Sequence, residues 1–175
     1  LKFDAIYSGF LGSIEQIDIV KDFVKKFKTE SNILIADPCM ADLGKMYVLF
    51  DEKFAKKMTS LCAMADIILP NITEACFMTD TEYIDGVQTR EYIEKLLNSL
   101  MDLGVKNVVL TGVTFEENKI GAACMGEDRI AQYYSGLSLY LESQNIYDSE
   151  LKKALLAQSL KALSEATFTL TMQIK

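Results

Sequence analysis

The chain has 175 residues, of which half are hydrophobic and a quarter are charged, and this composition excludes a disordered or collagen-like protein. No apolar run approaches the ~20 residues that a membrane-spanning helix needs. A formal net charge of -7 and a pI near 4.7 argue against a surface that binds nucleic acid or an anionic membrane. We therefore expect one globular domain over residues 1–175, with neither nucleic acid nor membrane as partner.

Histidine is absent and the four cysteines stand far apart in the sequence. Zinc sites and Ser-His or Cys-His catalysis therefore have almost no support. We interpret the cysteines as small core residues of a reducing compartment rather than as disulfides. The chain starts at Leu1 inside a strand-like apolar stretch and shows no signal peptide, which predicts a cytoplasmic protein and hints at a fragment.

Short apolar strands alternate with amphipathic helices in chain order. The patterns predict strands at 3–7, 33–36, 66–69 and 107–110, and helices at 14–28, 51–63, 73–78 and 89–103. A capping box is expected at Ser13 and Gln16, and a helix C-terminal cap at Gly104. A hairpin over 119–134 and one or two helices over 149–174 complete the chain. The alternation indicates an α/β doubly wound fold, with a mainly parallel sheet covered on both faces.

In such a fold ligands bind at the carboxyl ends of the strands. The residues that follow these strands include Asp37 and the segment from Asn71 to Glu74. Two carboxylates without histidine suit a hard cation such as Mg²⁺, which is most useful where it bridges phosphates. A simpler interpretation stays open, in which Asn71 and Glu74 only cap a helix and Asp37 with Pro38 only ends a strand.

Three segments together resemble the pyridoxal kinases of the ribokinase-like superfamily. Residues 37–47, Asp-Pro-Cys-Met-Ala-Asp-Leu-Gly-Lys-Met-Tyr, resemble the family's Asp-Pro-Val-Met-Gly-Asp segment that ends in Gly-Lys-x-Tyr. Residues 7–13 resemble its Ser-Gly-Tyr-Leu-Gly-Ser turn, and residues 65–75 its Ala-Asp-Ile-Ile-Thr-Pro-Asn-x-x-Glu-Ala stretch. The resemblance covers about 3–134 and weakens beyond. It implies a ribokinase-like three-layer α/β/α fold from which the family's N-terminal strands are missing.

The resemblance also implies roles for individual residues. Asp37 would face the nucleotide phosphates and their metal, while Glu74 would help to hold Mg²⁺ through water. In the turn that contains Ser8, Phe10 stands where the family often has a tyrosine beside the pyridine ring. Lys45 falls on a flap-like segment that in the family closes over the triphosphate. The residues implied to contact ATP or its metal are Asp37, Asp42, Tyr47, Asn71, Glu74, Thr111 and Gly112, those implied to contact the vitamin are Ser8 and Phe10, and the metal pair is Asp37 and Glu74.

The family's catalytic motif has no counterpart in the sequence. Its Gly-Thr-Gly-Asp supplies an anion hole and a general base, and it should fall between about 135 and 156, where no Gly-x-Gly-Asp occurs. The nearest carboxylate, Asp148, lacks the preceding glycines, so the catalytic base stays unassigned. Because phosphoryl transfer depends on positioning and electrostatic stabilisation, the chain as it stands is expected to be a poor kinase.

The leading hypothesis is an ATP- and Mg²⁺-dependent kinase of vitamin B6. It would phosphorylate the 5′-hydroxymethyl group of pyridoxal, pyridoxamine or pyridoxine, and the superfamily resemblance suggests a homodimer. Two alternatives stay open. One is a hydroxymethylpyrimidine kinase of thiamine synthesis, which shares the motifs at the strand ends. The other is a non-catalytic nucleotide-binding subunit, which the missing Gly-Thr-Gly-Asp favours.

Overall fold

A computed structural model describes residues 2–117 and 119–137. The elements in chain order are β1 (Ala5–Ser8), α1 (Ile14–Phe27), β2 (Ile33–Ala36), β3 (Ala41–Asp42), β4 (Lys45–Met46), α2 (Glu52–Cys62), β5 (Ile67–Ile68), α3 (Ile72–Thr79), α4 (Arg90–Met101), β6 (Asn107–Glu116), β7 (Lys119–Met125) and β8 (Gln132–Leu137). The helices predicted over 149–174 and Asp148 lie outside the described residues. Within the described part of the chain, no helix has the length and apolar character that crossing a membrane requires.

Six strands form one sheet in the order β1-β2-β5-β6-β7-β8. The pairings of β1 with β2, β2 with β5 and β5 with β6 are parallel, whereas β7 and β8 extend the sheet as antiparallel strands. This arrangement confirms the α/β class, the mainly parallel sheet and the hairpin predicted over 119–134. The order also places the ends of β1, β2, β5 and β6 side by side at one edge.

Alternation along the strands divides the sheet into two apolar faces. Leu34, Ile68 and Leu110 lie on the first face and belong to the main core, to which all four helices contribute buried side chains. Ile67 and Val109 lie on the second face in a smaller cluster. No helix of the described residues packs on this second face.

The helices begin at capping residues that the sequence shows directly. Asp51 caps α2 by accepting a hydrogen bond from the backbone N–H of Phe54, and Thr89 caps α4. Ser13 caps α1 as predicted. The predicted reciprocal bond of Gln16 was wrong, because its side-chain oxygen accepts the N–H of Gly12, at 2.7 Å, instead of that of Ser13.

β6 is longer than the apolar pattern predicted. The strand continues past Leu110 to Glu116 because it pairs with β7 over that length. The register shifts between Thr111 and Val113, and Gly112 in between has a φ of +77°, a conformation that glycine adopts without a steric cost. The bulge therefore lies at the carboxyl edge, beside the end of β5.

All four cysteines are free, as predicted: Cys62, Cys76 and Cys124 are buried and Cys39 is half-buried.

Candidate active site

The carboxyl ends of the parallel strands are joined by backbone hydrogen bonds. The N–H of Asp37 donates to the carbonyl of Ser8 at 2.8 Å, and the N–H of Thr111 donates to the carbonyl of Pro70 at 2.9 Å. An isolated bridge pairs Asn71 with Thr111. The strand ends that carry the predicted site residues therefore form one continuous edge.

Glu74 connects two of the segments on which the resemblance rests. One of its carboxylate oxygens accepts the N–H of Asn71 at 2.8 Å, and the other accepts the N–H of Met40 at 2.9 Å. The Asn71 side chain in turn accepts the N–H of Glu74 and donates to the carbonyl of Ala41. The capping interpretation of these two residues is thus confirmed as a structural role. The same carboxylate holds the segment after β2 against the start of α3.

Burial changes the acidity of Glu74. The side chain is only 3% exposed, and loss of hydration, together with the nearby negative charge of Asp37, outweighs its backbone hydrogen bonds and raises its pKa to about 6. Burial, then the charges of Asp37 and Glu74, also raise the pKa of the Cys39 thiol. The carboxylates of Asp37 and Glu74 therefore both lie near Cys39.

Asp37 has a side-chain partner that sequence reasoning missed. The hydroxyl of Tyr7 donates to Oδ2 of Asp37 at 2.9 Å, and burial followed by this bond raises the pKa of Tyr7 to about 12. Tyr7 pairs with Ile35 across the parallel strands, and Asp37 lies two residues further on. Because strand residues two apart share a face, the parity of Ile35 and Asp37 predicts this contact only once the register of β1 with β2 is known.

A cavity of about 450 Å³ adjoins the ends of β5 and β6. Asp42, Asn71 and Gly112, three of the residues predicted to contact ATP, line it. Lys119 also lines the cavity, although it pairs with Glu116 at 2.6 Å. The lining also contains three acidic residues, which outnumber this lysine: Asp42, Asp85 and Glu117. Because this lining is negatively charged, it would repel a polyphosphate unless a bound cation accompanies the polyphosphate.

An aromatic cluster flanks the same edge. The ring of Phe50 lies 5.7 Å from that of Phe10 and 6.3 Å from that of Tyr47, and it stacks on Phe54 at 3.9 Å. Phe10 is 56% exposed, so a face of its ring is open to a ligand. Ser8 is buried, and its hydroxyl has no hydrogen-bond partner among the described residues.

The predicted site residues thus fall into two groups. Asp42, Asn71 and Gly112 line the cavity, whereas Asp37, which bonds Tyr7, is not among its lining residues. Two larger concave regions of the described residues lie elsewhere: one is lined by Lys28, Asp66 and Lys106, the other by residues of α2, α3 and α4, including Lys56, Phe77 and Ser99. Neither contains the predicted set, so cavity size alone does not identify the site.

Comparison with known proteins shows the family of the chain. Residues 1–135 match the family model described as phosphomethylpyrimidine kinase. The chain belongs to this family. A pyridoxal kinase from Dictyostelium discoideum is 29% identical over 135 residues, which are 73% of this chain and 43% of that protein. A hydroxymethylpyrimidine/phosphomethylpyrimidine kinase from Haemophilus influenzae is 33% identical over 106 residues, 59% of this chain and 36% of that protein.

A solved structure supports membership of the phosphomethylpyrimidine kinase family. A protein from Bacteroides thetaiotaomicron, assigned as a phosphomethylpyrimidine kinase and crystallised with pyridoxal, is 34% identical with a TM-score of 0.73. The match covers 79% of this chain and 49% of that protein. The chain thus spans half or less of the length of each relative named here, and its fold is that of these kinases.

The residues present fit Mg²⁺, the metal that the family resemblance implies. Asp37 is half-buried, and among the described residues its Oδ1 accepts no hydrogen bond. Glu74 is buried and uses both oxygens, but each carboxylate oxygen has two lone pairs, so a water could still bridge from it to a metal. Hard oxygen donors, few in number, are what Mg²⁺ selects.

The β3–β4 hairpin beside the cavity depends on Gly44. Leu43 and Gly44 both have positive φ, as a type I′ turn requires, and a Cβ on Gly44 would lie 2.6 Å from Cδ1 of Tyr83. We expect Gly44→Ala to lower the free energy of unfolding by about 2 kcal/mol through this clash and the left-handed φ. Thermal unfolding followed by circular dichroism measures the loss.

Gly86→Ala is the matched control for Gly44→Ala. Gly86 has nearly the same φ, +75°, with nothing within 4 Å of an added Cβ. It should lose only about 1 kcal/mol, the cost of the backbone conformation. Equal losses in the two variants would contradict the close approach of Tyr83.

Proposed function

We propose that the protein is an ATP- and Mg²⁺-dependent kinase that phosphorylates the 5′-hydroxymethyl group of a B6 vitamer. The observation that carries this proposal is the contact among the three family-like segments. Tyr7 of the first segment bonds Asp37 of the second, and Glu74 of the third bonds Met40 of the second. Segments far apart in the sequence therefore build one acidic, oxygen-rich edge.

The residues of this edge would have different roles in binding. Asp37 and, through water, Glu74 would hold the metal, and when bound the metal supplies positive charge that neutralises the phosphate oxygens. Asn71, Thr111 and Gly112 would line the path of the polyphosphate. The exposed ring of Phe10 would stack on the pyridine ring.

The vitamer proposal is tested against the thiamine-pathway alternative by titration of the chain with pyridoxal and with hydroxymethylpyrimidine in the presence of Mg²⁺ and a non-hydrolysable ATP analogue. A B6 kinase should bind pyridoxal at least about ten-fold more tightly, since a pocket built for one ring loses hydrogen bonds to the other. The opposite order would favour the pyrimidine kinase, which the Haemophilus relative keeps open.

The non-catalytic alternative rests on the absence of Gly-x-Gly-Asp between 135 and 156. It predicts nucleotide binding that depends on Mg²⁺ without vitamin-dependent turnover of ATP. Release of ADP is measured with and without pyridoxamine: stimulation by the vitamer excludes the scaffold role, and its complete absence in a chain that binds both ligands supports it.

The location and the assembly of the protein are two further proposals. We place the protein in the cytoplasm, a reducing compartment that suits four free cysteines. We also propose a homodimer, on the superfamily resemblance alone. Light scattering should then give a mass about twice the 19.6 kDa of the chain.

A further inference from the structure

The proposed function assigns no role in metal binding to the hydrogen bond between Tyr7 and Asp37. Tyr7 lies on β1, at one end of the sheet that the described residues form, and is 60% exposed. Its hydroxyl donates to Oδ2 of Asp37 at 2.9 Å. The N–H of Asp37 is held by the carbonyl of Ser8, the next residue of the same strand. β1 therefore restrains both the backbone and the side chain of Asp37.

The hydrogen bond from Tyr7 does not neutralise the negative charge of Asp37. Among the described residues, Oδ1 of Asp37 accepts no hydrogen bond, and no lysine or arginine forms an ion pair with its carboxylate. Asp66 shows the contrast, since it is held by Lys28 at 3.0 Å and Lys106 at 3.1 Å. Two cations neutralise that carboxylate in a structural role. A tyrosine hydroxyl, in contrast, orients a carboxylate without cancelling its negative charge.

We propose that Tyr7 is a positioning residue, which fixes the orientation of Asp37 so that Oδ1 is presented to the divalent cation of the bound nucleotide. This role rests on the proposed function. A residue that holds a metal ligand in place reduces the conformational freedom that the ligand, here Asp37, loses when the metal binds. It therefore strengthens metal binding without contacting the metal. Phenylalanine at this position would keep the ring and remove only the restraint.

The test compares the chain with its Tyr7→Phe variant by titration with Mn²⁺ in the presence of ATP, followed by electron paramagnetic resonance of free Mn²⁺. We expect Tyr7→Phe to weaken Mn²⁺ binding about 3- to 10-fold. ATP binding without metal should not change. Tyr133→Phe is the matched control, because the Tyr133 hydroxyl donates to Glu94 at 2.7 Å, also on the surface, and it should leave Mn²⁺ binding unchanged.

A double-mutant cycle with Asp37→Asn separates positioning from a general loss of structure. If Tyr7 acts through Asp37, Tyr7→Phe has no further effect on Mn²⁺ binding once Asp37 is replaced. Additive losses, or a Tyr7→Phe variant that binds Mn²⁺ as the parent does, would overturn the positioning role alone. Failure of the parent chain to bind Mn²⁺ with ATP would overturn the proposed function and this role with it. Coincident thermal unfolding curves show that the variants are folded.

Discussion

Replacement of Asp37 by asparagine is expected to weaken the binding of Mg-ATP about 100-fold, or by ~3 kcal/mol. The substitution keeps the size of the side chain and removes the negative charge nearest the proposed metal position. A unit charge about 4 Å from another, near a protein surface, contributes about 4 kcal/mol. Asparagine can still accept a hydrogen bond from Tyr7, so the fold of the strand end should persist. Isothermal titration with Mg-ATP measures the change.

The control for this prediction is Asp22→Asn. Asp22 lies exposed on α1 and pairs with Lys25 at 2.8 Å, so the variant has the same change of net charge at a place far from the strand ends. It should bind Mg-ATP like the parent. If Asp37→Asn also binds normally, the assignment of Asp37 to the metal is wrong.

Replacement of Glu74 by alanine is expected to lower the free energy of unfolding by about 3 kcal/mol. The substitution leaves the N–H groups of half-buried Asn71 and buried Met40 without their acceptor, and the loss at a buried donor costs about 1–3 kcal/mol. In a chain of this size the melting temperature should fall by about 6–12 °C. Glu52→Ala is the control, because Glu52 also lies in the first turn of a helix but is exposed. Its loss should stay below about 0.5 kcal/mol.

The raised pKa of Glu74 gives the prediction a pH dependence. Its folded value of about 6 lies above the ordinary 4.5, so folding favours the protonated acid. The stabilisation is complete below about pH 4.5 and is lost as pH rises through about 6. Between about pH 7.5 and about pH 5 the chain should gain about 1 kcal/mol from this group. The absence of histidine removes the commonest competing titration from this window.

Glu74→Gln tests the sign of that dependence. Glutamine cannot titrate, and its amide N–H₂ would face one of the two backbone N–H donors, so the variant should be less stable than the parent at each pH. Urea unfolding across the range measures the difference between the two proteins. The difference should be larger at about pH 5 than at about pH 7.5, and the prediction fails if it is equal or smaller.

The sequence predicted the elements whose patterns are local. β2 was predicted with its observed bounds because Ile33 to Ala36 are apolar and stop at Asp37-Pro38, and the four helices show their caps and their buried stripes. β6 was predicted too short because its second half is defined by pairing with β7 and by the φ of Gly112, which depend on contacts outside the strand. The β3–β4 hairpin was missed because each strand has only two residues.

The candidate site shows the same division. Strand ends and the spacing of Asn71 and Glu74 could be read from the sequence, because both follow from periodicity and capping. The reach of Glu74 to Met40 could not, because it depends on how the loop after β2 folds back over α3. The bond from Tyr7 to Asp37 depends on the register of two parallel strands, which no local pattern encodes.

The central claim is that the carboxyl edge of the sheet is a nucleotide site that requires a divalent cation. The most direct test is calorimetric titration of the unaltered chain with a non-hydrolysable ATP analogue, first with Mg²⁺ and then with EDTA. The account predicts binding with Mg²⁺ that weakens at least about ten-fold when the metal is removed. Absence of binding, or binding of equal strength in EDTA, would contradict it.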